Sequence, residues 1–208
     1  MSAPAFDVNV AREAHAPPEA RGLDRDEVRL MVASRDDGSI THARFRDLPR
    51  FLAPGDLLVN NASLLGPSPQ PGLAEYPLGV LETVYRVNVL APLALTQLVL
   101  PRMPAGGVIV NITSDAAVEP YEGWGGYGSS KAALEQLTAI LGDEHPEHRI
   151  YAVDPGDMNT QMHQEAFPGE DISDRPPPED SVPGLLALIG GNRPSGRYRA
   201  HDLAGVGA

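Results

Sequence analysis

The chain has 208 residues, about one domain's worth, and its 42% of hydrophobic residues is enough to form a core. Its formal net charge of −12 and isoelectric point near 4.8 argue against binding to a nucleic-acid backbone, which needs a basic surface. The sequence contains no cysteine, which excludes disulfides, thiolate nucleophiles and cysteine-ligated metals.

The N-terminal residues and the most apolar stretch of the chain predict neither a signal peptide nor a membrane span. Residues 1–15 have neither a basic start nor an apolar core, so they do not resemble a signal peptide. The most apolar stretch, Val87 to Leu100, contains Asn88 and Pro92 and is too short to cross a bilayer. We therefore expect a cytoplasmic protein with no membrane and no nucleic-acid partner.

The first 55 residues predict a small β-hairpin. Two β-like runs, residues 27–33 and 39–45, flank the sequence RDDG at 35–38. An Asp-Gly pair between two such runs is typical of a hairpin turn. Residues 46–53 predict a short helix that ends at Pro54-Gly55.

From residue 57 onward the sequence alternates between strand-like and helix-like segments. The predicted strands are 57–59, 108–113, 149–153 and 197–200, and the predicted helices are 78–100, 127–141 and 181–189. This alternation predicts an α/β fold with a parallel sheet. Residues 157–180 are rich in proline and acidic residues, and we predict a loop there, either a substrate lid or a solvated connector.

A single lysine, Lys131, stands four residues after Tyr127, while the other fifteen basic residues are arginine. If residues 127–141 are helical, the two side chains lie on one face, one turn apart. An ammonium ion beside the phenol would stabilise tyrosinate and lower the pKa of Tyr127 from about 10. Tyr127 would then exchange a proton near neutral pH; the alternative is a surface tyrosine and a solvated lysine.

Five motifs stand in a fixed order between residues 56 and 203. They are LLVNNA at 57–62, Asn88 in RVNV, Ser114 after VIVNIT, Tyr127-x-x-x-Lys131, and Pro155-Gly156-x-x-x-Thr160. Together they resemble the catalytic half of the short-chain dehydrogenase/reductase family. The resemblance implies an incomplete Rossmann-like parallel sheet, which contains strands four onward of that fold. Residues 1–55 would precede this sheet as a separate segment with the hairpin, and residues 56–208 would form the catalytic half.

The resemblance also implies a set of site residues. Asn88, Ser114, Tyr127 and Lys131 would be catalytic: Tyr127 as proton donor, Ser114 as hydrogen-bond partner of the carbonyl oxygen, Lys131 as the cation that depresses the Tyr127 pKa, and Asn88 as the anchor of a water. The cofactor-binding residues would be Asn60, Ala62, Tyr127, Lys131, Pro155, Gly156 and Thr160. The cofactor implied is NAD or NADP.

The glycine-rich turn that cradles a cofactor pyrophosphate has no counterpart before residue 56, where only Gly22, Gly38 and Gly55 occur. The segment from Gly123 to Gly128 matches G-x-G-x-x-G literally. The strand before it ends near Thr113, however, so its context rejects a dinucleotide-binding turn, and we predict a loop before the catalytic helix. We therefore expect weak cofactor binding.

The N-terminal residues carry a second resemblance. EARG at 19–22 and the run from 27 to 59, with its FRDLP and PGDLLV elements, are similar to the start of the tRNA ribosyltransferase-isomerase of the queuosine pathway. The sequence DLLVN at 56–60 is compatible with a strand of either family, the dehydrogenase or the queuosine-pathway enzyme. These similarities suggest a chimera joined at Asp56 to Asn61.

The sequence thus predicts an NAD(P)-dependent carbonyl/alcohol oxidoreductase of the short-chain family, impaired by the loss of its nucleotide-binding half. The alternatives are a catalytically inactive chimera or an oligomerising interaction module, and a third is an RNA-modifying transferase, which the negative charge opposes. A small carbonyl or alcohol compound would be the substrate, and a homo-oligomer is compatible with the sequence. No metal site is predicted, because His145 and His148 fall in a charged loop where we expect solvated side chains.

Overall fold

The computed structural model of the chain describes residues 29–33, 37–51 and 57–203. The chain divides into two compact units, Met1–Leu52 and Ala53–Ala208. Several sequence predictions lie outside the described residues: the EARG segment, the start of the first β-like run, the first two residues of the RDDG turn, the Pro54-Gly55 stop and Asp56 at the proposed join.

The first unit contains the predicted hairpin. Strands β1 (Arg29–Ala33) and β2 (Ile40–Arg44) pair antiparallel, and Gly38 takes a positive φ of 68° in the turn between them. Asp37 stabilises the turn by accepting a hydrogen bond from the Ser39 amide at 3.0 Å. The short helix that follows is a 3-10 helix over Phe45–Phe51, so the hairpin is confirmed and the helix is tighter than an α-helix.

The second unit is built on a four-stranded parallel sheet. Its strands are β3 (Leu57–Asn60), β4 (Val108–Ile112), β5 (Arg149–Asp154) and β6 (Gly196–Arg199), side by side in that order. The register places Val110 opposite Val59 on one side and opposite Tyr151 on the other. The predicted α/β class, a parallel sheet preceded by a separate hairpin, is therefore confirmed.

Helices connect and cover these strands. The α-helices are α1 (Leu78–Tyr85), α2 (Ala91–Val99), α3 (Gly125–Glu144), α4 (Gln161–Ala166), α5 (Val182–Gly190) and α6 (Ala200–Leu203), and a π-helical segment, Arg86–Leu90, joins α1 to α2. Short 3-10 turns span Leu73–Glu75, Leu100–Arg102, Asp115–Ala117 and Pro178–Ser181.

Two boundaries differ from the sequence predictions. Helix α3 begins at Gly125, so four of the six residues in the glycine-rich segment that was predicted as a loop are helical. Its glycines allow close packing: a Cβ on Gly126 would meet the Tyr76 ring at 2.3 Å, and a Cβ on Gly128 would meet the Ala116 carbonyl oxygen at 2.6 Å. The predicted loop 157–180 contains α4 and one 3-10 turn.

The core of this unit lies on both faces of the sheet. All five residues of β4 are buried, as expected for a strand of a parallel sheet that helices cover on both sides. The polar residue among them, Asn111, is satisfied inside the core: it accepts a hydrogen bond from Asn60 at 2.7 Å and donates one to Thr138 at 2.8 Å. On the other face, Tyr151 and Val153 pack with Leu188 of α5.

The continuous helical stretch Leu78–Arg102 has 25 residues, and the mean hydropathy of its most apolar window is 1.3. By length and composition alone it is sufficient to cross a membrane, although the core helices of soluble proteins pass the same test. It is longer than the apolar run Val87 to Leu100, because α1 and Arg86 precede that run and the 3-10 turn Leu100–Arg102 continues it. The expectation of no membrane partner stays a prediction.

Helix α5 approaches the start of α6 at Gly184, and this contact yields a test of the packing. A Cβ on Gly184 would lie 2.0 Å from the Ala200 carbonyl oxygen, which is backbone and cannot move aside. Gly184→Ala should therefore lower the free energy of unfolding by about 1–3 kcal/mol, although alanine is the better helix former. Gly190→Ala is the matched control in the same helix, because nothing lies within 4 Å of its Cβ position. Urea denaturation should leave the control unchanged or slightly stabilised, and equal midpoints for the two variants would contradict the packing.

Candidate active site

Polar side chains follow three neighbouring strands at the carboxyl edge of the sheet, where ligands bind in open α/β folds. Asn60 ends β3, Ser114 follows β4 by two residues, and the Pro155-Gly156 turn follows β5. Helix α3 packs on the 3-10 turn after β4 and carries Tyr127 and Lys131 in its first two turns. The structure thus brings the predicted residues to one edge.

Lys131 is the most deeply buried cation of the described residues, with 2% of its side chain exposed. Its Nζ donates a hydrogen bond to the Ile112 carbonyl oxygen at 2.8 Å, at the end of β4, and lies 5.4 Å from the centre of the Tyr127 ring. Burial disfavours the charged amine and lowers the pKa of Lys131 to about 8. The surface alternative considered for this pair is therefore wrong.

Tyr127 is also buried, with 8% of its surface exposed. Burial raises its pKa to about 12; the nearby hydroxyls of Ser63 and Ser114 act in the opposite direction by hydrogen bonding, and the carboxylates of Asp115 and Asp154 raise it further. The Ser63 hydroxyl oxygen is buried and has no geometric hydrogen-bond partner among the described residues, so Ser63 opposes the effect of burial only weakly.

The prediction that Lys131 lowers the pKa of Tyr127 is wrong in this structure. The two residues stand on one helix face as the spacing requires, but the ammonium is directed at the Ile112 carbonyl rather than at the phenol oxygen. The effect of burial on the phenol therefore dominates. The four-residue spacing predicts correctly that Tyr127 and Lys131 are neighbours on the helix. It does not predict which group accepts the hydrogen bond of the Lys131 ammonium.

The Ser114 hydroxyl is held by the turn that follows it. It donates to Asp115 Oδ1 at 2.9 Å and accepts from the Ala116 amide at 3.2 Å, so it caps the 3-10 turn Asp115–Ala117. The other carboxylate oxygen of Asp115 accepts from the Tyr121 hydroxyl at 2.7 Å. A carbonyl oxygen that binds to Ser114 must therefore compete with Asp115 for the serine proton.

Asn88 occupies the π-helical segment between α1 and α2, a distortion that is frequent at functional sites. Its side chain is 1% exposed and clamps the loop after β3: it accepts from the Leu64 amide at 2.8 Å and donates to the Leu64 carbonyl at 2.9 Å. It also donates to Ser130 Oγ at 2.9 Å, which connects it to α3. These hydrogen bonds occupy the Asn88 side chain, so a water held by Asn88 would have to bind to its backbone. The predicted role of Asn88 in holding a water stays a prediction.

The two residues predicted on the ribose side of a cofactor differ in placement. The Asn60 amide points into the core towards Asn111, whereas Ala62 is exposed at the edge. The Oδ1 atom of Asn60 is buried without a hydrogen bond to a described residue. Asn60 therefore offers its backbone, not its side chain, to the edge.

The turn after β5 is fixed from both sides. Gly156 has a φ of 83°, its amide donates to Asp154 Oδ1 at 2.9 Å, and the Pro155 carbonyl accepts from Ser181 at 2.7 Å. Thr160 caps α4 by accepting from the His163 amide at 3.2 Å, and the proton of its hydroxyl is not used in this bond. The predicted segment thus forms a rigid turn with one side-chain donor.

Sequence reasoning missed a charged network beneath this edge. Arg197 of β6 donates to Glu135 of α3 at 2.9 Å, to Asp154 at 3.3 Å and to the Ser114 carbonyl at 3.3 Å. It therefore connects the serine turn with the Pro155-Gly156 turn through Asp154. No local motif marks these residues, because three elements far apart in sequence must fold before they meet.

The histidine pair that was predicted to be solvated is only partly so. His145 is half-exposed, but His148 is 6% exposed and its Nδ1 atom has no hydrogen-bond partner among the described residues. Its Nε2 atom lies 3.6 Å from the Glu147 carboxylate. The prediction of a solvated His148 is wrong, because the loop packs it against α2 and α3. Within the described ranges, no cluster of three histidine, aspartate or glutamate side chains could hold a metal ion.

Comparison with known proteins gives one family. A sequence model described as "short chain dehydrogenase" matches residues 19–171. The chain is 37% identical over 115 residues to a benzil reductase ((S)-benzoin forming) of Bacillus subtilis, which covers 52% of this chain and 46% of the relative. It is 34% identical over 138 residues to the uncharacterized oxidoreductase YciK of Escherichia coli, covering 65% and 54% respectively.

Solved structures show the same similarity. A short chain dehydrogenase from Escherichia coli CFT073 in complex with NADPH superposes with a TM-score of 0.64 at 33% identity, over 70% of this chain and 62% of that one. The chain spans about half the length of these curated relatives.

Burial of Lys131 makes stability depend on pH with a defined sign. Between pH 8 and 10.5 the unfolded chain keeps a lysine proton that the folded chain has released, so the free energy of unfolding rises with pH in that window. The rise is on the order of 3 kcal/mol. The variant Lys131→Met removes the lysine contribution to this pH dependence. Tyr127 is kept, and its raised pKa affects the free energy of unfolding only above pH 10.

The measurement is urea denaturation of both proteins from pH 7 to 10. The difference in stability, native minus Lys131→Met, should increase through this range. Parallel pH profiles would show that the amine is not desolvated in the folded chain.

Proposed function

This chain belongs to the short-chain dehydrogenase family, and we propose that it transfers a hydride between a nicotinamide dinucleotide and a small carbonyl or alcohol compound. The observation that supports this best is the buried pair Tyr127 and Lys131 beside Ser114 at the carboxyl edge of the sheet. Burying a lysine that hydrogen-bonds to a carbonyl oxygen and not to a carboxylate costs folding free energy. Groups with pKa values perturbed in this way cluster at functional sites.

The residues present fit the nicotinamide half of such a cofactor. The Lys131 ammonium has three donors and gives one of them to Ile112, which leaves N–H groups for ribose hydroxyls. The hydroxyl proton of Thr160 and the backbone of the rigid Pro155-Gly156 turn would hold the nicotinamide amide. When bound, the nicotinamide supplies or takes up the hydride.

Tyr127 would give the proton to the carbonyl oxygen. With a pKa of about 12, its phenol is protonated at neutral pH, which is the form that a proton donor needs. The reverse reaction would use the conjugate tyrosinate as its base.

Ser114 would donate a hydrogen bond to the carbonyl oxygen. To do so, its hydroxyl must first give up the hydrogen bond that it donates to Asp115 Oδ1. The exchange is feasible because Asp115 keeps hydrogen bonds from the Ala116 amide at 2.8 Å and from Tyr121. Asn88 would act by fixing the loop at Leu64 and, through Ser130, the first turn of α3.

Similar proteins support the cofactor and the substrate class. The NADPH complex of the Escherichia coli neighbour supports NAD(P) as cofactor, and the name of the Bacillus relative supports a carbonyl compound as substrate. For this chain we propose only the general classes: a nicotinamide dinucleotide as cofactor and a small carbonyl or alcohol compound as substrate.

We further propose that the dinucleotide binds weakly. In the described residues β3 is an edge strand, and the strand that carries the glycine-rich phosphate turn in the complete fold would lie beyond it. Each lost hydrogen bond to a charged group is worth roughly 1.5–3 kcal/mol, so about three lost phosphate contacts remove on the order of 5 kcal/mol. That amount corresponds to roughly three to four decades of affinity.

The joined origin of the chain is also a proposal. The resemblance of residues 19–59 to the queuosine-pathway enzyme supports it, whereas the short-chain dehydrogenase match counts against it, because that match begins at residue 19 and includes the same segment. On this proposal, residues 1–55 are a segment distinct from the catalytic half at 56–208. A cytoplasmic location without nucleic-acid or membrane partners belongs to the same proposal.

A second candidate is a catalytically inactive chain that acts as an oligomerising interaction module. The observation that favours it is a set of exposed large apolar residues on the helices: Leu78 at 78%, Leu90 at 49% and Ile140 at 42% exposure. The two candidates differ in whether any carbonyl is reduced when cofactor is abundant.

Tyr127→Phe tests the proposed reaction, because it removes only the phenol hydroxyl. Carbonyl reduction, followed by loss of NADPH absorbance at millimolar cofactor, should fall by about 10²- to 10⁴-fold, the usual contribution of a proton donor. Tyr198→Phe is the matched control: it removes a hydroxyl that donates to the Pro194 carbonyl at 2.8 Å and should keep the activity. Equal activity in the two variants would remove Tyr127 from the mechanism, and no activity in the unaltered chain would favour the second candidate.

A further inference from the structure

A cavity of about 380 Å³ opens beside the candidate active site. One wall is the segment before α3, which contributes Tyr121, Glu122 and Trp124, and the facing wall contributes Phe167 after α4. Trp124 also packs edge-on against Tyr127, with ring centres 5.8 Å apart. Trp124, and Asp115, which accepts a hydrogen bond from Ser114, therefore connect the cavity with the residues that we assign to the reaction.

Aromatic rings dominate the apolar part of the cavity. The Trp124 ring lies 5.9 Å from Phe167 and 6.2 Å from Tyr121, at tilted or edge angles. Trp124 and Phe167 are half-buried and Tyr121 is 46% exposed, so the cluster has ring surface open to the cavity. Aromatic rings prefer offset or edge contacts with other rings over contacts with saturated groups of equal size.

The charged part of the cavity is negative. Its lining carries three carboxylates, Asp115, Glu122 and Asp157, against the one guanidinium of Arg175. That guanidinium already lies 3.4 Å from Asp174 and 3.9 Å from Asp157. The cation is therefore engaged by the protein's own acids and gives little attraction to an anionic ligand.

We propose that this cavity selects an aromatic carbonyl compound without negative charge, whose ring packs against the contacting rings of Trp124 and Phe167 and whose carbonyl is directed towards Tyr127. This inference rests on the proposed function for the reaction itself. It adds the substrate class, which follows from the aromatic walls and the acidic rim and not from the catalytic residues.

Trp124 is the one tryptophan of the 208 residues, so the intrinsic fluorescence of the chain reports on the cavity directly. Acetophenone is the probe, and its binding is followed as quenching of Trp124 fluorescence without cofactor. Cyclohexyl methyl ketone, which is its saturated analogue, and 4-acetylbenzoate, which adds a carboxylate, are titrated as competitors.

We expect the saturated ketone to bind about 3- to 10-fold more weakly than acetophenone, the usual gain from aromatic contacts. The carboxylate should bind more weakly than acetophenone at low salt, and the difference should shrink as salt screens the acidic rim. Equal binding of acetophenone and its saturated analogue, or tighter binding of the anion, would overturn the proposal, as would an absence of saturable quenching.

Phe167→Leu keeps the reporter and removes one wall of the ring site. It should weaken acetophenone by about 3- to 10-fold and leave the saturated ketone nearly unchanged. Tyr198→Leu is the control, since it makes the same type of change outside the cavity, where Tyr198 packs on Tyr151 at 5.7 Å. An equal loss in both variants would point to a general effect on folding and contradict a ring site at Phe167.

Turnover separates this proposal from the proposed function. Selective binding of acetophenone without reduction at millimolar NADPH would leave the cavity assignment standing and remove the oxidoreductase assignment. Reduction of both ketones at equal rates, with equal binding, would keep the reaction and remove the aromatic selectivity.

Discussion

The hydrogen bond from the Lys131 ammonium to the Ile112 carbonyl is the contact on which the site depends. A buried cation must be hydrogen-bonded, and at 2.8 Å this bond holds α3 to the end of β4. The same bond fixes Tyr127 one turn earlier on the helix, next to Ser114 after the strand. Gly128 allows the approach, because a side chain there would collide with the Ala116 carbonyl. The geometry of the candidate catalytic pair is thus set by backbone contacts, and the phenol itself makes little contribution to it.

Interior polar bonds extend this arrangement to the other strands. Asn88 fixes the loop after β3, and Arg197 connects the turns after β4 and β5 through Asp154. Each of these side chains is buried or half-buried and bonded to backbone or to an opposite charge, so losing one partner would leave a costly unpaired group. The carboxyl edge is therefore rigid where a nicotinamide would sit. The adjacent cavity at Trp124, which is lined by aromatic and acidic residues, would determine which substrate binds beside the nicotinamide.

Much of this could be predicted from the sequence, and the exceptions share a physical cause. Strand and helix periodicity, the Asp-Gly hairpin and the ordered motifs around Tyr127 gave the α/β class, the hairpin and the family, because these signals are local. The direction of the Lys131 ammonium, the inward side chain of Asn60 and the burial of His148 depend on packing between distant segments. The Arg197 network was missed for the same reason. The pKa of Tyr127 was predicted in the wrong direction, since the spacing of two residues does not report how deeply both are buried.

On the proposed function, the described residues would build the nicotinamide half of a dinucleotide site without the pyrophosphate half. The most direct measurement compares, by calorimetry on the unaltered chain, the dissociation constants of NADPH and of reduced nicotinamide mononucleotide, which lacks the adenosine, the second phosphate of the pyrophosphate and the 2′-phosphate. We expect two weak constants within about threefold of each other, because the additional phosphates and the adenosine meet no built contacts. NADPH binding that is tighter by about 100-fold or more would contradict it and would show that the chain forms a phosphate cradle.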